Sequence, residues 1–172
     1  MSYVARSSVL CLVVLIAACG GAPESKVELQ EEENKALIRR EYEEVWNGGK
    51  LDVINELYAP NWVGHMPGRP DIHGIESIKR MANIFYTAFP DMEYTIDDMV
   101  AEGDKVAVRW TLAGTHEGEL MGVSPTGVQV TLRGNSILRF AEGKCVELWS
   151  SFDSRVIWPQ LGVTPPLGQS EK

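Results

Sequence analysis

The chain has 172 residues, with 16 Lys and Arg against 24 Asp and Glu, a net charge of −8. A surface this acidic repels phosphate backbones, which excludes nucleic acid as an expected partner. Three cysteines and three histidines are scattered with no CxxC or HxxxH spacing, so no metal site is expected.

The first eighteen residues carry one charge, Arg6, and then the apolar run Val9 to Ala18. That run is too short to span a bilayer and has the form of a secretory signal. Its end, Ile16-Ala-Ala-Cys19, resembles the bacterial lipobox, which implies cleavage before Cys19 and acylation of its thiol. An ordinary cleavage site with a small residue is the alternative. Several acyl chains at roughly 0.8 kcal/mol per methylene make a durable anchor. The expectation is a lipoprotein of the cell envelope, held at the periplasmic face of the outer membrane where one exists, since Gly20 and not Asp follows the cysteine. Residues 19–32, rich in Glu beside Gly20-Gly-Ala-Pro23, read as a solvated tether, and 33–165 as a single domain with a tail at 166–172. With Cys11 removed and Cys19 acylated, Cys145 is the one thiol of the domain, and no internal disulfide can form.

Along the domain, Leu37, Ile38, Tyr42, Val45 and Trp46 recur at helical spacing, predicting an amphipathic helix over Glu32–Asn47 that Gly48-Gly49 stops. Leu51 to Tyr58 continues the pattern until Pro60, and Asn61–Met66 is a short extended piece. Ile78, Met81, Ala82, Phe85 and Ala88 mark a third helix, Ile75–Phe89, closed by Pro90. The apolar period then changes from 3.6 to 2 through Met92, Tyr94 and Ile96 and again through Val106, Val108, Trp110 and Leu112, with Gly103-Asp104 as the turn. A Gly-rich connection over 114–127 leads to a second hairpin, Val128–Phe140 and Cys145–Phe152, across Glu142-Gly143. Helices segregated from a mostly antiparallel, strongly bent sheet define an α+β fold whose wrapped sheet encloses a conical cavity.

Tyr42-Glu-Glu-Val-Trp-Asn-Gly-Gly49, Tyr58-Ala-Pro-Asn-Trp62, Phe89-Pro-Asp91, Gly114-Thr-His-Glu-Gly118, Met121-Gly-Val-Ser-Pro-Thr-Gly127 and Trp149 to Gly162 occur in an order that resembles the SnoaL-like polyketide cyclases. These proteins share the cone of nuclear transport factor 2. The resemblance covers about Asn34 to Gly162 and implies an α+β barrel that forms a homodimer through its outer sheet face. It also implies cofactor-independent chemistry: a carboxylate removes a proton beside a carbonyl, and the resulting carbanion closes a ring. Counted back from Gln160-Leu-Gly162, the family's acid/base Asp falls on Ser150 and its partner His on Leu148, while a third polar position falls near Ser136. Neither Leu148 nor Ser150 can replace the dyad, since an unactivated hydroxyl is a very weak base and leucine has no polar atom. Strand parity puts Val146, Leu148, Ser150 and Phe152 on one face, an apolar wall with one hydroxyl.

Two residues are candidates for the missing acid/base. His65 lies at the mouth or wall of the cone by the resemblance and would titrate near neutrality, or else caps the loop before Pro67. Asp153 follows the last strand, where it either turns into the cavity or caps the helix that starts at Ser154. Among the aromatics, Tyr86 and Trp110 are expected to line the pocket, and Asp97 and Asp98, adjacent on a strand, are expected to face opposite sides. Three functional readings follow: an acid/base enzyme acting on a small hydrophobic carbonyl compound, a binding module for such a ligand or for a protein partner, and a structural dimer subunit.

Overall fold

Ser25 starts the first helix with a reciprocal cap: its hydroxyl accepts the Glu28 amide and the Glu28 carboxylate accepts the Ser25 amide at 2.6 Å. The structure, a computed structural model, describes residues 25–163. The expected signal, Cys19 and the tail lie outside the described residues. Helix α1 (Lys26–Arg40) thus begins six residues before the expected Glu32, and the second half of the anticipated tether is helical. The reason is tertiary as well as local, because Glu31 accepts the Gly103 amide at 2.7 Å and docks the helix on a hairpin turn.

From Glu41 to Trp46 the helix widens into a π-turn, with the Asn47 amide donating to the carbonyl five residues back, Tyr42, at 2.9 Å. In an α-helix residues five apart point roughly 140° away from each other. The wider turn brings Glu41 and Trp46 together, and the Trp46 indole N–H donates to Glu41 Oε1 at 2.8 Å. Asn47 then clamps the next layer, its side chain exchanging bonds of 2.9 and 2.7 Å with the Tyr94 carbonyl and amide.

A 3₁₀ turn at Leu51–Val53 and the short α2 (Ile54–Leu57) lead into β1 (Tyr58–His65). Tyr58 had been expected to end a helix, and Pro60 to break it. Instead Pro60 sits within β1 where its register against the neighbouring strand shifts between Tyr58 and Val63, so no ladder bond is lost. After β2 (Ile72–His73) and α3 (Ile75–Ala88) come the long strands β3 (Glu93–Glu102), β4 (Lys105–Thr115), β5 (Gln129–Ala141) and β6 (Lys144–Phe152), then α4 (Ile157–Gln160). The order across the sheet is β2-β1-β6-β5-β4-β3, antiparallel throughout except where β1 runs parallel to β6. A bulge in β3 at Asp97 and register shifts in the β1/β6 and β5/β6 pairs bend the sheet, and the helices pack on its inner face. The bulge also breaks the alternation expected for Asp97 and Asp98, which are both exposed.

Loops are fastened to strands by single side chains. Asp91 accepts the Thr115 amide and hydroxyl, both at 2.6 Å. Gln160 bonds both backbone groups of Thr131, at 2.8 and 3.0 Å, and so pins α4 to β5. Gly118 has its amide, like that of Glu117, on the Ala88 carbonyl, and a Cβ there would fall 1.8 Å from the Thr87 oxygen. Inside the sheet, Trp110 lies across Gly134, its partner in register on β5, where a Cβ would fall 2.3 Å from the indole. Gly134→Ala should therefore tilt Trp110 off the wall and lower stability by about 1–3 kcal/mol, measured by urea unfolding with the indole fluorescence as a second readout.

Candidate functional site

The helices and the sheet leave between them a cavity of about 1000 Å³. Its sheet wall is built from the inward positions of three strands: Trp110 on β4, Leu132, Ser136 and Leu138 on β5, and Leu148, Ser150 and Phe152 on β6. The helical wall brings Glu41, Tyr42 and Trp46 from the π-turn and Met81, Ile84 and Phe85 from α3. Leu120 and Met121 from the Gly-rich connection, Ile157 and Trp158 from α4 and the loop over 66–69 also line it, with Asp153 and Arg155 at the rim. Aromatic edges brace one another across the space: Tyr94 meets Trp46, Tyr42 and Trp110 at centroid distances of 5.3, 5.7 and 5.5 Å.

Two polar features interrupt this apolar surface. On the sheet side the Trp110 indole N–H donates to Ser136 Oγ at 3.0 Å, and the Ser136 hydroxyl donates to Ser150 Oγ at 3.0 Å. Donation along the chain leaves the Ser150 O–H as its free end. On the helical side Glu41, 6% exposed, accepts on Oε1 from the Tyr58 hydroxyl at 2.6 Å and from Trp46. Its Oε2 has no hydrogen bond among the described residues and is not sealed from the cavity. Burial raises the Glu41 carboxyl above the usual carboxylate range, against the pull of the Tyr58 and Trp46 donors. Burial likewise drives the phenols of Tyr42, Tyr58 and Tyr94 and the thiol of Cys145 up, so all of them stay neutral around it.

Trp110, Ser136, Leu148 and Ser150 therefore share one cavity, whereas three other expected site residues do not serve it as anticipated. His65 is on the opposite face of the sheet. Parallel pairing sets it beside Trp149, on whose ring it stacks at 5.4 Å, and its nitrogens bind Asp71 at 2.8 Å and Glu147 at 3.0 Å. Asp153 touches the cavity rim, yet its Oδ1 accepts the Arg155 amide at 3.0 Å and the Arg155 guanidinium at 3.2 Å. That is the cap role, and those bonds, the backbone one first, hold its carboxyl below the usual range. Tyr86 turns from the cavity and donates its hydroxyl to the Val45 carbonyl, and the neighbouring Phe85 takes the lining position.

Glu41 is the residue that the sequence reading passed over. It sits among charged neighbours, but Asn34, Ile38, Glu41 and Val45 fall at i, i+4, i+7 and i+11, which is the buried stripe. A carboxylate on an apolar stripe was the available signal. His116 is also fully buried, its Nδ1 accepting from the Thr126 amide at 3.3 Å, and it ties the Gly-rich connection into a closed loop. Among the described residues no three His, Cys, Asp or Glu gather in a form that would hold a metal ion.

An α+β cone with a partly open, mostly apolar cavity carrying one buried carboxyl and one hydroxyl relay is the architecture of the cyclase-like class. The family model for SnoaL-like polyketide cyclases matches residues 36–161, and the chain belongs to that family. Among solved structures it is similar to AclR from Streptomyces galilaeus, described as a candidate hydroxylase. The two are 32% identical over 78% of this chain and 99% of AclR, with a TM-score of 0.71. It is similar also to IdmH from Streptomyces antibioticus, a candidate polyketide cyclase, at 34% identity over 76% of this chain and 99% of IdmH, TM-score 0.66. A SnoaL-like protein from Jannaschia, 24% identical with a TM-score of 0.73 over 84% of this chain and the whole of that one, shares the fold. No curated protein matches the sequence.

The Asp71 and Glu147 bonds, Asp71 first, raise the His65 imidazole above its ordinary value. The stability that His65 adds is then complete below about pH 6.5 and is lost as pH rises through the raised value. His65→Ala should lower the melting temperature by about 2–4 °C near pH 5.5 and by less near pH 9. An equal loss at both pH values would sink the ion-pair account.

Proposed function

We propose that the cavity binds a small hydrophobic carbonyl compound of polyketide-like kind and acts on it by general acid/base chemistry. The observation that carries this reading is the Trp110, Ser136, Ser150 chain, which ends in an O–H with no acceptor among the described residues, inside a mostly apolar space. A carbonyl oxygen is the complementary group, and in a mostly apolar pocket such a donor is worth more than in water. A cavity of about 1000 Å³ has room for a fused-ring ligand. The likeness to IdmH, described as a candidate polyketide cyclase, over almost its whole length supports a polyketide-like ligand. A second reading, a binding protein without catalysis, is favoured by Leu148 at the position where the family's partner histidine is expected.

The Cys19 motif supports attachment to the envelope by acyl chains, with the cavity domain tethered beside the membrane and, in an envelope with two membranes, at the outer one. Exposed Ile137 and Trp149, partners in register on the face away from the cavity, support a homodimer through that face.

Titration with planar aromatic ketones, followed by thermal shift, tests the ligand reading. Wild type at about 100 times Kd should gain stability near 2.7 kcal/mol, and Ser150→Ala should bind about 5–10-fold more weakly, the worth of one neutral hydrogen bond. No shift with any ketone would overturn the reading. Separately, Cys19→Ala expressed in a bacterial host should move the protein from the membrane fraction to the soluble one, and persistence in the membrane would refute acylation at that residue.

A further inference from the structure

We infer that Glu41 is the acid/base group of this cavity, so that the proton-transfer site stands on the helical wall and not on β6. The inference rests on the carbonyl-ligand reading above. Glu41 lines the cavity, is almost wholly removed from solvent, and presents one oxygen to two protein donors and the other to the cavity. Among the described residues its surroundings offer no counter-charge. Tyr42 flanks it on its own turn, Tyr58 on β1 donates to it, and Tyr94 on β3 and Cys145 on β6 stand close enough for its charge to act on them. The charged residues of the lining, Arg69, Asp153 and Arg155, are all exposed, and the last two bind each other.

A structural role does not call for a carboxylate at this place. Glutamine would accept from Tyr58 and Trp46 with the same shape and without the cost of drying a charge. What glutamine lacks is a removable proton. Burial with neutral donors is the environment that moves a carboxyl toward neutral pH, where it can both take and return one.

The step balances on this chain and its ligand alone. Glu41 carboxylate takes the proton from the carbon beside the ligand carbonyl, forming O–H as C–H breaks. The electron pair of that bond forms the new C=C bond as the carbonyl π pair moves to oxygen, and the enolate oxygen accepts the Ser150 hydrogen bond. Glu41 then returns the proton to carbon, and no oxidant or reductant enters.

The test uses 2-tetralone, a bicyclic ketone with acidic C–H groups, in deuterated buffer, with exchange followed by proton NMR and binding by thermal shift in the same samples. Wild type should accelerate exchange, Glu41→Gln should bind equally and lose exchange by at least about 100-fold. Tyr58→Phe removes a donor to the charged form and should move the acid limb of the pH profile to higher pH. A second measurement needs no ligand. The native carboxyl, raised above its unfolded value, retains a proton that the unfolded chain has released, so wild-type stability is full below about pH 4.3 and falls as pH rises through the native value. Glu41→Gln should be free of that fall. Exchange by Glu41→Gln at the wild-type rate, or tetralone bound by wild type without acceleration, overturns the assignment of Glu41. Wild type that binds no ketone overturns the ligand reading itself, and the two failures are distinguished by the binding measurement.

Discussion

The desolvation of one carboxyl group sets the terms for the whole inner face of this domain. Glu41 is placed where the helix, β1, β3 and β6 converge, with the Tyr58 hydroxyl and the Trp46 indole N–H in place of water. An isolated carboxylate in such a place costs several kcal/mol, so the fold has to supply donors of fixed geometry. The π-turn does this by bringing Trp46 alongside Glu41, and the switch from α2 to β1 does it by turning Tyr58 inward at the first strand position. Neither device would be needed to pack an apolar side chain there. The cavity stays open because the aromatics around it lean on one another and not into the centre: Tyr94 is held by Asn47 through its backbone, and Trp110 lies flat over a glycine.

The segments that carry the family resemblance are mostly fasteners of this cone. Asn47 joins the first helix to β3, Asp91 joins the end of α3 to β4, His116 closes the connection over 116–127, and Gln160 pins the final helix. Each is a side chain bonded to backbone that would otherwise be left unpaired in a loop. None of these four residues lines the cavity. These four residues report architecture, whereas Tyr42, Trp46, Ser150 and Trp158 in the same segments line the cavity.

That division explains what could be read in the chain. Both hairpins, the turns at Gly103-Asp104 and Glu142-Gly143, and the inward parity of Leu148, Ser150 and Phe152 follow from a period of two, a local property of each strand. The side on which His65 falls is not local. It depends on β1 pairing in parallel with β6, a contact between residues more than eighty positions apart, and that pairing turns the imidazole to the outer face. Tyr86 and Phe85 differ by one step of about 100° around α3, too small an angle for periodicity alone to choose between them. Glu41 was legible in principle, as a charge at a buried stripe position, but only a π-turn explains how Trp46 comes to partner it.

The contrast between His65 and Glu41 shows why position outranks residue type in assigning chemistry. His65 has the more suitable ordinary pKa, yet it is fixed between two carboxylates near solvent, where Arg139 also holds Glu147 at 2.6 Å. Its proton is committed to an ion-pair network that the surrounding water screens. Glu41 starts from an unsuitable value and is moved by its surroundings, with neutral donors that favour the anion and a dry cavity that favours the acid. The desolvation outweighs the donors, so the carboxyl stands above the usual carboxylate range. Loss of the histidine position at Leu148 then has a simple consequence: without a cation on β6 a carboxylate at position 150 would be dried without support, whereas the helical wall already carries the donors that make one tolerable.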